Sequence, residues 1–296
     1  MEALTLDQIQ LFLAVVQEGG FAKAARKLVR AQSAVTYGVR KLEAQIGMAL
    51  FDRAAYRPAL TEAGRALLVR AGRIADEARA FRETAQSLAQ GLEPELTLAV
   101  DSMFPMAAVV EALKAFSARF PTVPPRVYVQ PLGGSVELVL DGACMMGFLP
   151  LVISDRARLK SFPLRTVRFL PVVAPDHPLA AYAGPIEGHV LSSHVQLVLT
   201  DTTQLTSGRD YGVLSARTWR LADLGAKQAM LLAGLGWGYM PTHLVEDDIA
   251  RGRLTPIHPE GFDPRVDQQI FGAAYLSDRR LGPAGQWMIA HLSGAA

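Results

Sequence analysis

The sequence predicts two architectures in tandem: an all-α N-terminal part that closes on one long helix, and an α/β part built on a mainly parallel sheet. Three observations carry this. Up to about residue 90 the apolar residues recur at spacings of three and four, the period of a helix with one buried side. Residues 61–90 contain no proline. After Pro94 short apolar and β-branched runs alternate with helical segments, the order that builds a sheet covered by helices. With 296 residues, half of them hydrophobic, two or three cored units fit and long disorder is not expected.

The first helix is announced by Thr5 and Gln8, the spacing of a capping box, and shows Ile9, Phe12, Leu13 and Val16 on one side before Gly19 and Gly20 end it. The next stretch, GFAKAARKLVRAQSAVTYGVRKLEAQI from Gly20 to Ile46, reads as a helix-turn-helix. Phe21, Ala24, Ala25 and Leu28 share a face, with Lys23, Arg26 and Lys27 opposite. Val29 to Ala31 form a sharp link. In the second helix Val35, Val39, Leu42 and Ile46 face inward, which leaves Gln32, Ser33, Ala34, Thr36, Tyr37, Arg40 and Lys41 for the outside. Hydrogen-bonding groups and cations on the first turns of a helix are what base edges in a major groove call for. We therefore expect Gln32, Ser33, Thr36 and Tyr37 at bases and Arg40 at phosphate or minor groove, with Ala34 in the same DNA-binding stretch. Met48 to Leu60 reads as a short β-wing, with Arg53 and Arg57 at its tip available to phosphate or a minor groove.

From Thr61 a helix is expected to run to about Gln90, closed by Gly91 and Pro94 and about 45 Å long. Leu67, Ala71, Ile74, Ala78, Phe81, Ala85 and Leu88 alternate at spacings of four and three, a heptad seam flanked by arginines, which suits pairing between two chains. In the second part, strands are expected at Leu96–Val100, Arg126–Gln130 and Ala143–Leu149, separated by a helix ending before Pro121 and by a Gly133-Gly134-Ser135 turn into a short helix. Further strands follow at Thr166–Ala174, Val195–Thr200, Gly238–Met240 and within Asp263–Leu276. Helices are expected near Asp223–Leu235, from Thr242 to Gly252 and at Pro283–Leu292.

Charge is unevenly spread. Residues 1–60 hold eight Lys and Arg against five Asp and Glu, while the whole chain is only +2, so the positive excess sits where nucleic acid would be met. The single cysteine, Cys144, excludes an internal disulfide and suits a reducing compartment. The opening MEALTLDQIQLF lacks a basic lead and a long apolar run, so no secretory signal, no membrane span and a cytoplasmic location are expected. The six histidines show no metal-ligand spacing, so neither metal nor cofactor is expected. Glu137 stands where a nucleophile elbow centred on Ser135 needs glycine, and the glycines at 234, 236 and 238 follow a helix and precede a strand, the reverse of a dinucleotide site. Ligand groups in such sheets gather in loops at strand ends, which nominates Ser102, Met103, Phe104, Gly134, Ser135, Thr202, Thr203 and Trp237. Hydroxyls among apolar walls suit a small organic ligand of aromatic or acidic character.

Residues 1–90 resemble the winged helix-turn-helix and linker helix of LysR-type transcriptional regulators, through FAKAARKL, AQSAV, RKLEAQIG, LFDR and LTEAGRALL in that order. Two departures stand out: the family often has Pro where Ser33 stands and Arg where Tyr37 stands, so a typical member's base preference does not transfer. Gly20 also replaces a common Ser or Thr cap. The resemblance implies that residues 93–296 form a two-lobed, periplasmic-binding-protein-like (type II) effector domain, with Ser102, Ser135, Thr202 and Thr203 at effector-contacting positions. Its strand at Cys144-Met145-Met146 lacks the acidic residue with which the family commonly begins it. The implied organisation is a DNA-binding domain over 1–60, a dimerisation helix over 61–92 and an effector domain over 93–296. Lobe one takes 93–163 and 263–296, and lobe two 164–262. Implied partners are an operator with an interrupted palindrome, a small organic effector, further copies of the chain as dimer or tetramer, and RNA polymerase. The alternative is a stand-alone small-molecule-binding protein or enzyme that its N-terminal helices dimerise.

Overall fold

The structure is a computed structural model that describes residues 4–52, 58–154, 157–263 and 267–294. Its backbone contacts divide it into two units, 1–90 and 91–296.

In the first unit, α1 (Leu6–Glu18) starts in the expected capping box and stops at Gly19, whose φ of 67° suits glycine. Then come α2 (Phe21–Lys27), α3 (Gln32–Ile46), a two-strand wing of β1 (Phe51–Asp52) against β2 (Ala59–Leu60), and α4 (Glu62–Ala89). The buried side of α1 is set by Ile9, Leu11, Phe12 and Val15, which meet Ala24, Ala25, Val35 and Val39. Phe51 carries the wing onto this core, edge-on to Phe12 and Phe21 at centroid distances of 5.6 and 5.3 Å. Two glycines permit close approach: a side chain at Gly38 would collide with Leu11 of α1, and one at Gly64 with the Leu50 carbonyl. The buried Glu43 carboxylate accepts the Leu50 and Phe51 N–H groups at 2.7 and 3.2 Å, joining α3 to the wing.

The heptad reading of α4 needs correction at its start. Ala71 is buried and Leu67 half-buried in the core of this unit, because the first turns of α4 pack against α1. The apolar seam left open begins at Ile74 (48% exposed) and continues through Phe81 (75%) and Leu88 (45%).

The second unit holds a seven-stranded sheet. β3 (Leu96–Asp101) lies parallel to both β4 (Pro125–Gln130) and β5 (Met146–Pro150), with α5 (Met106–Arg119) and α6 (Gly133–Leu140) in the connections. Two long strands run against them, β6 (Leu159–Val173) and β11 (Gln268–Leu276). β11 pairs antiparallel with β5 on one edge and with Leu159–Arg168 of β6 on the other. Beyond Arg168, β6 continues past β9 (Gly238–Pro241) and β10 (Thr255–Pro256), both antiparallel. The sheet is thus mixed, not mainly parallel, because β6 and β11 turn back along it. β6 also begins seven residues before the expected Thr166, since that part serves as the partner of β11. A separate parallel pair, β7 (Gln196–Leu199) and β8 (Thr218–Leu221), is followed by α8 (Leu224–Leu232). The chain also forms α7 (Gly188–Ser193), α9 (Thr242–Ala250) and α10 (Pro283–Leu292). Buried Glu93 caps α10 from far away in sequence, accepting from the Ala284 and Gly285 N–H groups at 3.0 and 2.9 Å.

Candidate nucleic-acid interface and ligand cavity

The outer side of α3 is built by exclusion. Val35, Gly38, Val39 and Leu42 are drawn into the core, and the helical period turns the residues between them outward. Gln32, Ser33, Ala34 and Arg40 are exposed and Tyr37 is 67% exposed. Thr36 is half-buried, its hydroxyl donating to the Gln32 carbonyl at 2.9 Å. The turn before α3 is held by Val29 at φ 52°. Arg30 pairs with Asp7 at 2.8 Å, which takes that cation out of the free basic surface. Arg53 and Arg57 lie outside the described residues.

The second unit contains an open cavity of about 920 Å³. Its wall comes above all from the connection between β7 and β8, with Met103, Leu132, Asp267, Gln268 and Gln269 approaching from other parts of the unit. Buried Gln196 shapes that connection: its amide nitrogen donates to the Gly212 carbonyl at 2.6 Å and its oxygen accepts from Leu214 and Ser215 at 2.8 and 3.0 Å. Asp201, at the end of β7, is fixed by the Thr203 N–H and the Thr206 hydroxyl, both at 2.8 Å, and lies against Gly133 at the start of α6. Behind it Asp101 is fully buried, accepting from the N–H groups of Met103 and Leu132 at 2.8 and 2.7 Å. Burial pushes its carboxyl up to about 7 against those hydrogen bonds, and neighbouring Asp201 adds to the rise. Leu132 sits at φ 51°, ψ −124°, a conformation glycine prefers, held there by its bond to Asp101. Lys227 of α8 is 4% exposed at the cavity wall, and its ammonium donates to the Tyr239 carbonyl at 2.7 Å. Burial alone pulls it down to about 7.

Of the eight residues expected at the ligand, Met103 and Thr203 line the cavity. Trp237 does not: it is fully enclosed among Val173, Leu179, Ile186 and Leu191, and edge-on to Tyr239. Phe104 is likewise core, stacked on Phe148 at 5.4 Å. Ser135 is buried and donates to the Leu132 carbonyl at 2.8 Å, bracing the α6 entry instead of meeting ligand. Gly134 is buried in the same turn, Thr202 is exposed beside it, and Ser102 has a buried hydroxyl with no partner among the described residues. The residues missed were Gln196, Asp201, Lys227 and Tyr239. Lys227 had left a signal, a lone charge between Leu224 and Leu231 on an apolar helical face. Cys144 is buried, its thiol pushed up to about 11 by desolvation. Among the described residues no helix is long and apolar enough to cross a membrane.

A helix-turn-helix unit with an open polar reading face, continued by a cavity-bearing α/β unit, defines a DNA-binding regulator with an effector domain. The chain belongs to the LysR family of transcriptional regulators: the profile of the bacterial regulatory helix-turn-helix protein, lysR family, matches residues 6–65, and that of the LysR substrate binding domain matches residues 89–296. It is 30% identical over 265 residues to the probable HTH-type transcriptional regulator YhaJ of Escherichia coli, covering 87% of each chain. It is 30% identical over 285 residues to CrgA of Neisseria meningitidis, covering 92% of this chain and 91% of that one. In fold it is similar to OxyR of Corynebacterium glutamicum, with a TM-score of 0.58 at 23% identity over 99% of this chain and 93% of that one. With both family profiles matched and YhaJ and CrgA named as transcriptional regulators, the alternative of a stand-alone small-molecule-binding protein or enzyme dimerised by its N-terminal helices is set aside.

Proposed function

We propose that this regulator reads an interrupted palindrome through Gln32, Ser33, Thr36 and Tyr37, with Ala34 in the same DNA-binding face and Arg40, Arg53 and Arg57 at phosphate or minor groove. Two chains pair along α4 from Ile74 onward, and dimers associate further into tetramers. A small organic effector in the cavity beside Met103 and Thr203 alters how the DNA-binding units are presented, and RNA polymerase is the downstream partner. The protein acts in the cytoplasm. The observation that carries this reading is the polar, outward side of α3 above a closed apolar interior, with Tyr37 67% exposed at its middle. Two-fold pairing requires half-sites about one helical turn apart, or a multiple of it. The test is fluorescence anisotropy on DNA upstream of the chain's own gene across a salt series. Wild type should bind specifically, with affinity falling steeply as salt rises. Gln32→Ala with Tyr37→Ala should flatten the preference for that sequence while leaving non-specific binding in place. Binding that ignores both substitutions would defeat the assignment.

A further inference from the structure

We propose that Lys227 is the anchor for a ligand carboxylate, and that the cavity takes a small monocarboxylate with an apolar, ring-bearing body. The inference rests on the reading of this cavity as the effector site.

Among the described residues Lys227 is the buried cation in the cavity wall that the protein leaves without a counter-charge. It forms no salt bridge among the described residues, and the Tyr239 carbonyl uses one of its three donors. A buried ammonium in that state is costly until an anion joins it, because its solvation has been given up without a charge in return. The other cations differ. Arg220 is held on both oxygens of Asp210, at 3.0 and 3.2 Å, and Arg209 is exposed. The start of α6, a second place for an anion, is filled by the protein's own Asp201, which lies against Gly133. A carboxylate entering this cavity therefore finds Lys227 as the buried partner free to pair with it, by a charge-assisted hydrogen bond stronger than a neutral one. Phe169, Leu199, Tyr239 and Phe262 supply apolar and ring surface for the rest of the ligand. Asp201, Glu260 and Asp267 in the same wall oppose a second negative charge.

The probes are benzoate and phenylacetate, with benzamide and phenylacetamide as uncharged counterparts, titrated calorimetrically into the full chain. The acids should bind at least tenfold more tightly than the amides. Lys227→Met, checked for folding by circular dichroism, should bind the acids at least tenfold more weakly than wild type. Equal binding of acids and amides, no binding of either acid, or unchanged acid binding by Lys227→Met would each overturn the inference; the acid-to-amide comparison needs no variant. Acids that bind through Lys227 yet leave operator affinity unchanged would remove the effector role and keep this site. Operator affinity that responds to a neutral compound and not to the acids would do the reverse.

Discussion

Tyr37 on the reading helix is 67% exposed, whereas Lys227 in the cavity wall is 4% exposed, and this contrast separates the two proposed contact residues. The N-terminal unit carries its function on side chains that folding leaves over. In the α/β unit the proposed anchor, Lys227, is a charge that folding has to bury. The first arrangement costs the fold almost nothing, so its reading face is free to change. The second would tie recognition to stability, because the proposed anchor is a group whose solvation was lost.

The contrast is sharpest in the pH dependence of stability. Asp101 binds its proton more tightly folded than unfolded, with a value raised from 3.8 to about 7, so stability falls as pH rises through that interval. Lys227 is lowered from 10.5 to about 7, so the unfolded chain binds more protons between those values and stability rises with pH above neutrality. The two windows meet near pH 7, where their combined cost peaks; the Asp101 shift alone corresponds to about 4 kcal/mol at most and the Lys227 shift to about 5 kcal/mol. Urea unfolding at pH 5, 7 and 9 should show a minimum near neutrality. Asp101→Asn should flatten the acid limb and Lys227→Met the alkaline one. Unaltered limbs in both variants would mean that neither buried charge weighs on the fold.

The N-terminal unit is sensitive in its interior instead. Gly64→Val drives a branched side chain into the Leu50 carbonyl, a backbone atom that cannot swing away, and should cost about 3 kcal/mol. Glu43→Ala strips the acceptor from the Leu50 and Phe51 N–H groups and should cost about 2 kcal/mol, read in the same denaturation series. If either substitution proved neutral, the claim that this unit's stability is decided in its packed interior would lose its basis.

The same contrast explains what could be read from the sequence. The limits of α1, α3 and α4 follow from caps and from spacings of three and four, all of them local, and the exposed face of α3 is the complement of its buried one. The cavity depends on partners far apart in the chain. Gln196 with Leu214, Lys227 with Tyr239 and Asp201 with Gly133 meet only once β6, β7 and β9 are in register. Trp237 was misplaced for the same reason. Its neighbours Gly236 and Gly238 suggest an open turn, yet each is there to pass close to a backbone carbonyl, of Val195 and Leu197, which seals the indole inside. The seam of α4 shows the limit of periodicity even locally: one heptad pattern serves the chain's own core up to Ala71 and is open from Ile74.

Small effects test the outer surface. Val29, a β-branched residue at φ 52° and 91% exposed, makes almost no packing contact and bears backbone strain in the turn before α3. Val29→Gly should therefore stabilise the unit by about 1 kcal/mol, less than the full relief because glycine also loosens the unfolded chain. Tyr37→Ala should move stability by no more than about 0.5 kcal/mol, since most of the ring is already in water and alanine favours the helix. Operator affinity should nevertheless fall at least tenfold. The two measurements on that variant have to diverge for the comparison to hold, because a side chain left over by folding can matter only to what binds from outside. If thermal unfolding shifted in step with DNA affinity, Tyr37 would be part of the structure of the reading unit, and its exposure would no longer mark it as a reader.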